Sequence, residues 1–187
     1  MNKLLGVLVG LAVAGGAIAD EQQQRIEESR AAVQAFGKEL QGELRAAMQE
    51  GGPVQAIEVC HRVAPRIAAD LSEEHGWIVG RTTTKLRNPD NAPDAWERAV
   101  LEDFERRAAA GEAPGELEHA EVAEYEGQEA FRYMRGIGVG EVCLSCHGAN
   151  LDESVAGTLK RLYPQDEARG YGPGELRGAF TIVQPLD

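Results

Sequence analysis

The stretch Glu141–Asn150, EVCLSCHGAN, brings Cys143, Cys146 and His147 together in one short run. Two thiols at this spacing, followed directly by an imidazole, read as a C-x-x-C-H site for covalent attachment of c-type haem. Each thiol adds to one vinyl group of the same macrocycle, and the adjacent histidine is then held beneath the iron as an axial ligand. A chain with this motif must fold around a large, flat, mostly apolar group. The motif occurs once, which implies one haem. Two other readings of the paired cysteines fit less well. A thioredoxin-like redox disulfide sits in a βαβ context that this sequence lacks. A structural zinc site needs four ligands, typically from a second paired cluster, whereas the third and last cysteine, Cys60, stands alone far upstream.

The N-terminus points to a compartment. MNKLLGVLVGLAVAGGAIAD has a single positive charge at Lys3, an apolar run from Leu4 to Val13 and small residues ending in Ala17, Ile18 and Ala19. This is the pattern of a secretory signal peptide, residues 1–19, cleaved before Asp20. Its apolar part is shorter than the roughly 20 residues a membrane span needs. The expectation is a periplasmic or otherwise exported protein with no stable membrane insertion after cleavage. With 31 acidic residues against 19 Lys and Arg, the net charge is −12. That balance disfavours nucleic acid and anionic lipid surfaces, which select basic patches. A redox or signalling protein with a basic face is the partner it suits. Three cysteines are too few for a disulfide scaffold, and the odd count flags a thiol with another job. Residues 20–187 have the length of a single domain.

Apolar periodicity predicts a long helix over residues 20–50, carried by Ile26, Val33, Phe36, Leu40, Leu44 and Met48. Gly51, Gly52 and Pro53 end it, and Pro53 suits the first turn of a second helix. That helix carries Cys60 and should kink at Pro65, whose ring crowds the carbonyl of His61. It should then run to about Glu74 and stop at Gly76. Trp77–Arg87 is rich in β-branched residues and reads as a strand. Asp94 and Glu97 resemble a capping box ahead of a helix with Trp96, Val100, Leu101 and Phe104 on its buried side. Two short strands follow, about Glu121–Glu126 and Ala130–Gly136. After the cysteine cluster come a helix near Ser154–Leu162 and a last strand, GAFTIVQ. Helices first, then an antiparallel sheet interrupted by helices, make an α+β fold.

The common small electron carriers have the haem motif near the N-terminus and a ligating Met after it, but no Met follows Met134 here. Cytochromes c′ place the motif in their last helix, but here a β-rich tail follows it. The blocks AIEVCHRVAPRIA, GWIVGRTTTKLRNPDNAPDAWE, CLSCHG and ARGYGPGELRGAF resemble the exported single-haem c-type cytochrome domains with a PAS-like fold. That family occurs alone and as the periplasmic sensing module of membrane kinases and chemoreceptors. The resemblance covers the whole chain after the leader. It implies an antiparallel sheet of about five strands with N-terminal helices packed against it, and haem held against the sheet. It also implies an unusual axial pair, His147 from the haem motif and Cys60 from the second helix.

Read from its neighbours alone, Cys60 faces the core, beside Ala56, Ile57, Val63 and Ala64. A buried inert thiol is the commonest fate of such a cysteine, so the residues by themselves leave its role open. Its neighbour His61 points roughly 100° away on a helix. His75 and His119 lie in polar, turn-rich stretches and read as surface residues, and Met48 and Met134 read as core. Trp77, Trp96 and Phe180 read as core aromatics, any one of which could line the haem. Arg81, Lys85 and Arg87 could pair with haem propionates or simply form a solvated strand face. No nucleophile–base pair and no second metal cluster stand out, so the chain does not read as an enzyme. The leading function is a redox- or ligand-responsive haem sensor domain, and the alternative is a soluble periplasmic electron-transfer cytochrome. Gas binding at a five-coordinate iron is a third reading, open only if Cys60 is not a ligand.

Overall fold

The computed structural model describes residues 14–186. Most of the expected signal peptide, residues 1–13, therefore lies outside the described residues. Helix α1 (Ala14–Glu58) carries the expected apolar stripe and is interrupted at Gly51 and Gly52, with φ of −143° and 69°. The second value lies in the left-handed region that glycine enters without steric penalty, so the GGP stretch breaks the helix as its composition predicts. A π-helical segment, Val59–Val63, follows, and then α2 (Ala64–His75), which ends at Gly76 with φ 68°.

The kink expected at Pro65 takes another form. Pro65 sits in the first turn of α2, and the distortion lies just before it. Proline has no N–H to offer the carbonyl of His61. The N–H of Ala64 instead reaches Val59 O, a five-residue step that widens the turn carrying Cys60.

Strand β1 (Ile78–Thr82) stops short of the expected Trp77–Arg87. The Thr83 hydroxyl donates to Arg177 O at 2.9 Å and accepts from Lys85 N at 3.3 Å, which turns the chain out of the sheet. Helix α3 (Ala95–Ala109) begins with the predicted capping box: Glu97 N donates to Asp94 Oδ1 at 2.8 Å and Asp94 N to Glu97 Oε2 at 3.0 Å. Strands β2 (Glu118–Tyr125) and β3 (Gln128–Gly138) form one hairpin, longer than the two short strands expected. Its two-residue turn, Glu126–Gly127, has positive φ at both positions, the geometry that matches strand twist. Helices α4 (Leu144–His147) and α5 (Glu153–Leu162) precede the last strand, β4 (Leu176–Pro185).

The strands form one antiparallel sheet in the order β1-β4-β3-β2. The fold is α+β and PAS-like, with four strands among the described residues where about five were implied. Alternation along β3 gives the sheet two covered faces. Phe131 and Tyr133 join Val33, Phe36, Ile67 and Leu71 under α1 and α2. Met134 packs on the opposite face with Val100, Leu101 and Phe104 of α3. Polar ties fasten α1 to the sheet: Arg30 pairs with Glu118 at 2.7 Å, and Gln184 donates to Ser29 Oγ at 2.9 Å. No helix among the described residues is long and apolar enough to cross a membrane.

Candidate functional site

The second half of α1, the π segment, the adjoining ends of β1 and β4, and α4 enclose a cavity of about 370 Å³. This lies within the ~300–1,000 Å³ common for cofactor and small-molecule sites. Cys60, Cys143, Cys146 and His147 all line it, so the fold gathers the four candidate residues from two distant stretches of chain. All three cysteines are free thiols. Among the described residues no three His, Cys, Asp or Glu are arranged to hold a bare ion.

His147 closes the four-residue helix α4. Its Nδ1 lies 2.8 Å from Ala168 O. A carbonyl only accepts, so the proton sits on Nδ1 and Nε2 keeps its lone pair, which faces Arg87 Nη1 at a long 3.4 Å. Burial, with help from the charges of Arg87 and Arg177, pushes the His147 pKa down to about 3. The ring is therefore neutral at any ordinary pH, the form that binds metal. Backbone bonds from Tyr171 N to His147 O (3.0 Å) and from Gly170 N to Gly148 O (3.1 Å) lash the motif to the glycine-rich segment behind it.

Cys146 is pushed up to about 11 by burial. Burial likewise raises Cys60, opposed by the charges of Arg81, Arg87 and Arg177. Cys60 lies on the π segment, on the cavity wall with Ala56 and Ile57. Its neighbour His61 is exposed and bonded to the Tyr163 hydroxyl at 3.2 Å, so it does not compete for the same space.

Arg87 is the most heavily anchored cation here. It pairs with buried Asp166 (Nε to Oδ1, 3.0 Å), donates to Cys146 O at 2.6 Å and Ala168 O at 3.1 Å, and touches His147 Nε2 at 3.4 Å. It thus clamps the motif backbone to the residue-168 segment. The expectation that Lys85 and Arg87 share a strand face is overturned, because β1 ends at Thr82. Lys85 is exposed, with Nζ 4.9 Å from the centre of the Tyr171 ring.

The donor set suits haem. Two thiols stand at vinyl-bridging spacing, a neutral imidazole has one nitrogen committed elsewhere, and a third thiol shares the cavity. Leu40, Leu44, Met48, Ile137 and Phe180 supply apolar wall. The contact from Arg87 to Nε2 is long, and its other three anchors do not depend on it.

Met48 was expected in the core and instead lines the cavity, while Met134 is fully buried in the core. His75 stacks on Trp77 at 4.5 Å and His119 lies beside Trp96, both half-buried where surface positions were expected. Phe180 is the one of the three candidate aromatics that reaches the cavity. Arg177, Tyr163 and Asp166 were missed. Their only sequence signal is charge or aromaticity in a turn-rich segment, which says nothing of what lies opposite.

The Tll0287-like family profile matches residues 16–185. The fold also matches the crystal structure of the cyanobacterial heme-protein Tll0287, with a TM-score of 0.68 over 88% of this chain and 96% of that one, at 21% identity. At that identity the likeness speaks for the fold. Comparison with curated proteins returns no match. The profile takes in every strand and nearly all of the described chain, in agreement with the single-haem domain family that the sequence blocks resemble, and the chain belongs to the Tll0287-like family.

Proposed function

We propose that this chain is a periplasmic, or otherwise exported, monohaem c-type protein that works as a redox- or ligand-responsive sensor domain. One observation carries the reading: Cys143, Cys146, His147 and the remote Cys60 line a single cofactor-sized cavity. The description of a structural relative as a heme-protein supports the cofactor class.

In this reading Cys143 and Cys146 would hold the haem covalently, and His147 and Cys60 would ligate its iron. When bound, haem supplies an iron centre that exchanges one electron and prefers different ligands in its two oxidation states. The protein's share is positional. Ala168 O fixes the His147 tautomer, as outer partners of metal-ligating histidines do. Arg87 and Asp166 fasten the motif backbone, and the apolar wall keeps water away. With His147 and Cys60 both holding the iron at rest, this reading gives the chain a sensing role and assigns it no reaction.

The π segment under Cys60 favours sensing over plain electron transfer. Such segments are uncommon and cluster at functional positions. A turn already one residue out of register can change register at little cost, whereas a carrier needs ligands that stay in place.

The test has two steps. After denaturation the haem should remain on the wild-type polypeptide, and Cys143→Ser or Cys146→Ser should weaken or abolish that retention. Acid–organic extraction that strips all pigment from the wild type would sink the covalent assignment. Reduced protein should then bind carbon monoxide while oxidised protein resists cyanide. A reduced protein that refuses carbon monoxide has locked ligands, and the electron-transfer reading becomes the better one.

A further inference from the structure

Arg81, Arg87 and Arg177 all line the cavity, but they are not equivalent. Arg87 is neutralised by Asp166. Arg81 has no hydrogen bond or ion pair among the described residues, and its guanidinium lies 5.4 Å from the centre of the Phe36 ring. Arg177 donates from Nη1 to Thr83 Oγ1 at 3.0 Å and to Lys85 O at 3.3 Å, and no carboxylate reaches it. Elsewhere half-buried Arg25, Arg107 and Arg169 and buried Arg132 find carboxylates in Glu21, Glu112, Asp166 and Asp94, while half-buried Arg135 donates only to the Gly115 carbonyl. The contrast is informative in a chain with 31 acidic residues and 19 Lys and Arg. Acids are in excess, yet among the described residues none is paired with these two cations, in a wall that is mostly apolar. A desolvated charge without a counter-charge is unfavourable, so the arrangement calls for an anion from outside the chain.

Arg81 and Arg177 come from adjoining ends of neighbouring strands, β1 and β4, and so face the cavity from one side. Guanidinium groups bind carboxylates as planar forks. We infer that Arg81 and Arg177 form a carboxylate clamp for the two propionates of the haem. This rests on the haem reading above. It excludes Lys85, which does not line the cavity, and Arg87, which is already paired.

The experiment uses haem-loaded protein with Arg81→Gln, Arg177→Gln and the double variant, following the midpoint potential and the propionate bending band in resonance Raman spectra. Each single change should lower the potential, because the ferric state gains when a nearby cation is lost, and the double change should lower it further. The propionate band should shift in each. Arg81→Lys and Arg177→Lys should restore most of the potential while the band stays shifted. Those lysine variants decide the matter if the glutamine variants do not fold, since an unmoved band in both overturns the clamp. Attached haem with unchanged potential and band in both glutamine variants overturns it too. So does a wild-type potential that moves on addition of inorganic phosphate, which would assign the pair to a diffusible anion. A wild-type chain that carries no haem fails at the earlier step and removes the haem reading itself.

Discussion

In the proposed reading His147 would be prepared for the iron by atoms that do not touch the metal. Nδ1 is committed to Ala168 O, and burial holds the ring neutral. Cys60 is prepared in the opposite sense. Burial favours its thiol, while Arg81, Arg87 and Arg177 favour its thiolate. Ferric iron would add a stronger pull in the second direction. The Cys60→Ala variant tests this balance. The ferric haem is expected to become high spin, with water in place of sulfur and a higher midpoint potential, read by absorption and paramagnetic resonance. His61 is not the expected substitute, because it is exposed and engaged with Tyr163. An unchanged spectrum would return Cys60 to the class of inert buried thiols.

Among the elements, α3 gives the sharpest test of how local and tertiary forces combine. Asp94 caps the helix, and its second oxygen accepts from Arg132 at 2.6 Å. Arg132 is itself 2% exposed, lies over Trp96 at 4.2 Å and is only 3.8 Å from Glu97. Asn caps about as well as Asp. Asp94→Asn therefore leaves the cap and weakens the ion pair, a loss of about 1–3 kcal/mol for a buried donor short of its partner. Asp94→Ala removes both, adding about 1 kcal/mol for the cap. Denaturant midpoints should fall in the order wild type, Asn, Ala. An Asn variant with the wild-type midpoint would show that the ion pair contributes nothing, and equal midpoints for the two variants that the cap contributes nothing.

For the molecule as a whole, the sheet is clad on both faces, and the cavity is lined by the second half of α1, the π segment, the sheet and α4. The surface around it belongs to a chain of net charge −12. A field of that sign steers cations in and anions away, and salt screens both effects. Electron exchange with hexaammineruthenium(III), a cationic oxidant, should slow as ionic strength rises from about 0.01 to 0.5 M, while exchange with anionic ferricyanide should quicken. Stopped-flow rates with the same slope for both oxidants would show that net charge does not govern access, and the expectation of a basic-faced partner would lose its basis.

Features written in consecutive residues were determined by the sequence alone. The C-x-x-C-H spacing is covalent and local, and so are the capping box at Asp94, the break at Gly51–Pro53 and the stop at Gly76. The periodicities that separate helix from strand also survive in any tertiary setting, because each element must present one face to a core. The lengths of the strands were less legible. β1 ends early because Thr83 finds a partner in Arg177, a residue far along the chain that no local pattern announces. The π segment was legible only in part, since Pro65 marks a disturbance but not which carbonyl will adapt. Only the tertiary structure decided that Cys60 shares a cavity with His147, that Asp166 neutralises Arg87, and that Arg81 and Arg177 are left without a carboxylate. Each of these depends on two segments meeting across the core. The meeting is set by the packing of whole faces, to which the individual side chains at the cavity add little signal of their own.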